Sequence, residues 1–86
     1  MIERKIKIIN PTGLHARPAA VLNKLAAKFK SDIKLVVEDK EANIKSILAI
    51  LAAGVGCGTD IVLKADGNDE KEAIEEIGSY LATLKE

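Results

Sequence analysis

Apolar and polar positions alternate at the start of the chain. Ile2, Ile6 and Ile8 share one face, and Glu3, Lys5 and Lys7 share the other. A period of two carried by β-branched side chains predicts a half-buried strand over residues 2–9. Asn10-Pro11-Thr12-Gly13 interrupts the pattern and predicts a loop. From Ala16 the spacing lengthens to that of a helix, with Leu22, Leu25, Ala26 and Phe29 as its inward stripe. Pro18 falls in the first turn, where a missing N–H is no loss. Ser31-Asp32 closes this helix. A second strand then turns Ile33, Leu35 and Val37 inward and Lys34, Val36 and Glu38 outward. The polar run Glu38-Asp39-Lys40-Glu41 predicts a hairpin turn into a short third strand carrying Ala42 and Ile44.

Ser46 is placed to cap a short helix over residues 47–53, and Gly54 stops it. A fourth strand turns Ile61, Leu63 and Ala65 inward. Asp69 followed by Glu72 matches a capping box, and a last helix carries Ile74, Ile77, Leu81 and Leu84 as its stripe. The order is β-α-β-β-α-β-α. Each strand has one apolar face, which predicts an antiparallel sheet with helices on one side and water on the other. With no internal repeat and no linker, residues 1–86 are expected to form a single α+β sandwich domain.

The short helix is too apolar to be satisfied by one buried side. At 100° per residue, Ile47, Leu48, Ile50 and Leu51 cover more than half its circumference. Ile50 can share the buried side with Ala49 and Ala53. Ile47, Leu48 and Leu51 then form an exposed arc, expected to be a docking patch.

Composition removes several classes of function. The 86 residues carry 13 Lys+Arg and 13 Asp+Glu, for a formal net charge of zero. These charges are scattered, and Phe29 and Tyr80 are the only aromatics, so neither the electrostatic nor the stacking footprint of nucleic-acid binding is present. Cys57 and His15 are each alone of their kind, which rules out an intramolecular disulfide, a cysteine-cluster metal site and a histidine pair. No apolar signal region follows the N-terminal charges, and no run approaches the roughly 18 apolar residues of a membrane span. A cytoplasmic location without membrane insertion is expected. Gly54, Gly56 and Gly58 follow a helix and precede a strand, the reverse of the dinucleotide fingerprint, so no nucleotide site and no cofactor are expected. Cys57 reads as an inert loop thiol.

One stretch carries chemistry: Thr12-Gly13-Leu14-His15-Ala16-Arg17-Pro18. A lone histidine can be an idle loop residue, and most surface arginines are merely solvated. Here a glycine turn leads into the imidazole, a helix starts on it, and an arginine follows two positions later. An unperturbed imidazole, with a pKa of about 6.5, is mostly neutral and nucleophilic in the cytoplasm. Backbone N–H groups at a helix start favour a dianionic phosphoryl group. Pro18 offers no such donor, so the Ala16 and Arg17 amides are the candidates. The planar fork of Arg17 can bind phosphoryl oxygens and stabilise charge during in-line transfer. The pattern suits a site where a phosphoryl group is taken up and passed on. With no second base, metal site or enclosed pocket, a stand-alone enzyme is a poor fit.

The run Gly13-Leu14-His15-Ala16-Arg17-Pro18 resembles the active-site signature of the histidine-containing phosphocarrier (HPr) family of the bacterial sugar phosphotransferase system. Ala27-Lys28-Phe29, Ile44-Lys45-Ser46-Ile47, Gly54-Val55-Gly56 and Asp66-Gly67 are similar to segments of that family, so the resemblance spans essentially the whole chain. It implies an open-faced β-sandwich with a four-stranded antiparallel sheet and three helices on one face. It also implies a monomeric relay. Enzyme I, charged by phosphoenolpyruvate, would phosphorylate His15 on Nδ1; a sugar-specific enzyme IIA component would receive the group; and Arg17 would be the phosphoryl clamp. Ser46 matches a serine that a dedicated HPr serine kinase/phosphorylase modifies in many Gram-positive members, where a catabolite-control regulator reads it. A phosphate there would lie at a helix start, beside the docking patch. A regulatory binding module acting through Ser46 and the apolar arc, without sugar transport, is the competing reading, and it would not need the intact His15 and Arg17.

Overall fold

The computed structural model describes residues 1–84. Its elements are β1 (Ile2–Lys7), α1 (Ala16–Ala27), β2 (Asp32–Val37), β3 (Lys40–Asn43), α2 (Ile47–Ala52), β4 (Asp60–Asp66) and α3 (Glu70–Ala82). The strands form one antiparallel sheet in the order β1-β4-β2-β3. The expected element order and sheet are both present.

The period-two pattern decides which face is covered. Ile6, Ile33, Leu35, Val37, Ile61, Leu63 and Ala65 are buried against the helices. Val36 and Val62, opposite one another on β2 and β4, lie on the other face among Lys5, Lys34 and Lys64. The helical stripes close the core: Ala19, Leu22 and Ala26 from α1, Ile50 from α2, and Ala73, Ile74, Ile77 and Leu81 from α3. Arg4 also points inward from β1, and α3 makes room for it with Gly78, where a Cβ would stand 2.6 Å from a guanidinium nitrogen. Among the described residues, no helix is long and apolar enough to cross a membrane.

Several expected boundaries shift. β1 ends at Lys7, although Ile8 stays buried and its N–H still donates to the Thr59 carbonyl at 2.9 Å. The hairpin turn is only Glu38-Asp39, because Val37 pairs directly with Lys40; Lys40 and Glu41 therefore belong to β3. Glu38 takes a left-handed φ of 58° to make so short a reversal. Ile44 falls just beyond β3 yet is fully buried, and α2 ends at Ala52 with Ala53 as its cap.

The capping box does not form. Asp69 is the N-cap of α3 but makes no side-chain bond to that helix. Its carboxylate instead accepts the Lys30 N–H at 2.8 Å, the Ser31 N–H at 3.0 Å and the Ser31 hydroxyl. The loop just before β2 offers donors a carboxylate can reach, and they outcompete those of its own helix.

Candidate functional site: the start of helix α1

His15 owes its placement to the preceding loop. The buried Asn10 side chain donates from Nδ2 to the Gly13 carbonyl at 2.7 Å, and the Gly13 N–H returns to the Asn10 carbonyl at 3.2 Å. Gly13 has φ +63° and lies against the segment after α2. A Cβ there would strike the Val55 carbonyl and come within 2.7 Å of the Gly56 Cα. Any other residue would meet both a backbone penalty and a collision. Leu14 is buried, and its N–H donates to the Val55 carbonyl at 2.9 Å. The next residue, His15, is exposed.

His15 is the N-cap of α1, with extended backbone (φ −86°, ψ −165°) and a carbonyl that accepts the Ala19 N–H at 3.0 Å. Its ring makes no capping bond. His15, Ala16 and Arg17 are all exposed, while Pro18 and Ala19 turn into the core. The Ala16 and Arg17 amides thus stand in the first turn of α1, ahead of the Ala19 N–H that makes the first intrahelical bond. The first turn of α1 contains no acidic residue. An anion here gains about 0.3–1 kcal/mol from the helix dipole, before any contribution from a guanidinium.

The other candidates lie on α2. The Ser46 Oγ accepts the Ala49 N–H at 3.2 Å, so the expected cap is present. Ile47, Leu48 and Leu51 are 38%, 79% and 40% exposed, as the helical spacing required, and Ile50 is fully buried. The two helices are tied together just before Ser46. Asn23 on α1 donates from Nδ2 to the Lys45 carbonyl at 2.6 Å, and the Lys45 ammonium reaches the Phe29 carbonyl at 2.9 Å. Asn23 lies about two turns, roughly 10 Å, along α1 from Ala16. His15, Ser46 and the apolar arc therefore belong to the same α1–α2 side of the molecule. Asn23 and Lys45 were not singled out from the sequence, because nothing local marks a contact between residues so far apart.

Cys57 is exposed, with its sulfur 3.7 Å from the Ile9 carbonyl. A shallow hollow of about 510 Å³, lined by Lys5, Lys7, Val36, Glu38, Asp60 and Val62, lies elsewhere, on the helix-free sheet face. His15 does not line it.

Residues 2–83 match the family model described as the PTS HPr component phosphorylation site. The chain belongs to the HPr family. It is 45% identical over 85 residues to the phosphocarrier protein HPr of Buchnera aphidicola, covering 99% of this chain and 100% of that one. Among solved structures, an HPr from Thermoanaerobacter tengcongensis superposes with a TM-score of 0.90 at 44% identity, covering 94% of this chain and 91% of that one. The catabolite-repression protein Crh of Bacillus subtilis, described as a swapped, intertwined dimer, gives 0.79 at 37% identity, with 100% and 99% covered. As an HPr protein the chain is a phosphocarrier component of the phosphotransferase system, not a stand-alone enzyme, and the phosphohistidine chemistry of sugar transport follows from the family.

Proposed function

We propose that His15 is the phosphoryl acceptor, taking the group on Nδ1 from phosphorylated enzyme I and passing it to a histidine of an enzyme IIA component. The observation that carries this reading is the chain's lone imidazole, exposed on the N-cap of α1, in a chain whose residues 2–83 match a phosphorylation-site family. On uptake a P–N bond forms at His15 as the bond from phosphorus to enzyme I breaks, and on donation that P–N bond breaks as a new one forms on the enzyme IIA histidine. Arg17 and the Ala16 and Arg17 amides stabilise the equatorial oxygens. An open site suits a carrier, because the group must leave as readily as it arrives. Ile47, Leu48 and Leu51 form the docking patch for both partners. The protein works in the cytoplasm, as a monomer.

Ser46 is the regulatory position in this reading. A phosphate on it sits at a helix start, where it is tolerated, and adds negative charge beside the docking patch. A serine kinase and a catabolite-control regulator are its partners. The likeness to Crh, a protein named for catabolite repression, favours a second reading, a regulatory module that acts through Ser46 and the apolar arc. Retention of His15 and Arg17 favours the first.

The deciding experiment is incubation with enzyme I and phosphoenolpyruvate, followed by intact-mass measurement. Wild type should gain one acid-labile phosphate and His15→Ala none. No adduct on wild type, or an undiminished one on His15→Ala, sinks the relay.

A further inference from the structure

The carrier role as described leaves one buried polar side chain without a task, that of Asn10, which is 1% exposed. A buried amide is an expensive way to fill space unless its hydrogen bonds matter. Its Nδ2 holds the Gly13 carbonyl, and the Gly13 N–H holds the Asn10 carbonyl, so the turn is closed at both ends. Gly13 in turn leans on Val55 and Gly56, and the Leu14 N–H is bonded to Val55. Beyond that point only the soft dihedrals of Leu14 and His15 separate the fixed loop from the fixed helix. The direction of the imidazole is therefore set from the loop side as well as from α1.

We propose that Asn10 is a positioning residue for phosphoryl transfer, its side-chain amide fixing the turn that delivers His15 to the start of α1. This rests on the reading of His15 as the acceptor. In-line transfer demands that the nucleophile be aimed along the breaking bond, and a misplacement of about 1 Å can cost roughly a hundredfold in rate. Asn10 touches neither the phosphoryl group nor the partner in this scheme. Its loss should therefore change the rate of the chemical step and leave docking through Ile47, Leu48 and Leu51 intact.

The test is steady-state transfer with this carrier as the varied substrate of enzyme I, using Asn10→Ala, Asn10→Ser and, as a control, Ser31→Ala. Ser31 is the other buried polar residue among the described residues and belongs to the Asp69 contact, not to this loop. Asn10→Ala should lower kcat roughly tenfold or more, with KM within about twofold of wild type. Asn10→Ser keeps a shorter hydroxyl donor and should lose only several-fold. It is also the measured variant should Asn10→Ala not fold. Ser31→Ala should leave kcat unchanged even where it lowers the melting temperature as much. Unchanged kcat in the Asn10 variants, a parallel worsening of kcat and KM, or an equal loss in Ser31→Ala overturns the proposal. A wild-type chain that takes up no phosphate overturns the acceptor reading as well. Normal wild-type transfer with indifferent Asn10 variants overturns the positioning role alone.

Discussion

Helices α1 and α3 each turn a positive end toward a loop, and the chain treats the two ends in opposite ways. At α3 it supplies its own anions. Asp69 is the N-cap, and Glu70 and Glu72 stand in the first turn. The Glu70 carboxylate accepts the Gly67 N–H at 3.2 Å and lies 3.0 Å from the Met1 ammonium. Asp69 bonds across to Lys30 and Ser31, stapling the loop after α1 to the loop before α3. At α1 there is no acidic residue in the first turn, the N-cap is an exposed imidazole, and a guanidinium follows. Charge at α3 is spent on holding loops together. At α1 the same favourable field is kept for an anion arriving from outside.

The largest effect is expected from Arg17→Lys. Lysine keeps the charge but not the planar fork, so the phosphoryl oxygens lose a paired donor at the moment charge spreads over them. Transfer from phosphorylated enzyme I should slow on the order of tenfold to a hundredfold, while helix content and melting temperature stay put. Rapid-quench kinetics with labelled phosphoenolpyruvate measure this. Equal rates would leave the α1 terminus electropositive but remove Arg17 as its clamp.

A sharper probe makes α1 resemble α3. Ala16→Asp puts a carboxylate into the first turn, where it should stabilise the protein by about 0.3–1 kcal/mol. The same carboxylate would repel the incoming phosphoryl group, and transfer should fall roughly tenfold. Urea melts and transfer rates read the two consequences separately. Opposite signs for stability and rate support the contrast between the termini. A variant that is less stable and equally fast would break it.

That contrast was half legible in the sequence. Short-range chemistry was readable: the strand and helix periods placed Ile33, Leu35, Ile61 and Leu63 in the core, Ser46 on its cap, and Leu48 in solvent. His15 at a helix start was readable from the glycine before it and the proline after it. What escaped depends on residues that meet only after folding. Asp69 and Glu72 fit a capping box, yet Lys30 and Ser31 arrive from the end of α1 and take the Asp69 carboxylate. Asn10 read as a generic loop former, since its burial requires Val55 and Gly56 to close over the turn. Gly13 was legible as a turn glycine, but the collision that forbids a side chain there was not.

The smallest effect, and the one that isolates the α3 end, is its response to acid. The Ser31 hydroxyl, followed by the Lys30 amide, holds the Asp69 carboxyl below its ordinary range. The Gly67 amide, followed by the Met1 ammonium, does the same for Glu70. A carboxyl whose folded pKa lies below its unfolded value binds fewer protons in the folded state. The stability it contributes is therefore fully present above the unfolded value of about 4 and drains away as pH falls through the lower folded value. Ser31→Ala removes the first cause at Asp69, so the variant should be less stable than wild type at neutral pH. The gap should narrow as Asp69 becomes protonated in both. Urea melts at about pH 7 and about pH 3 should show this convergence, with phosphoryl transfer at neutral pH unchanged throughout. A gap that stays constant would mean that the hydroxyl supports the loop by packing alone. A change in transfer rate would mean that the two helix termini, opposite in their use of charge, are not independent.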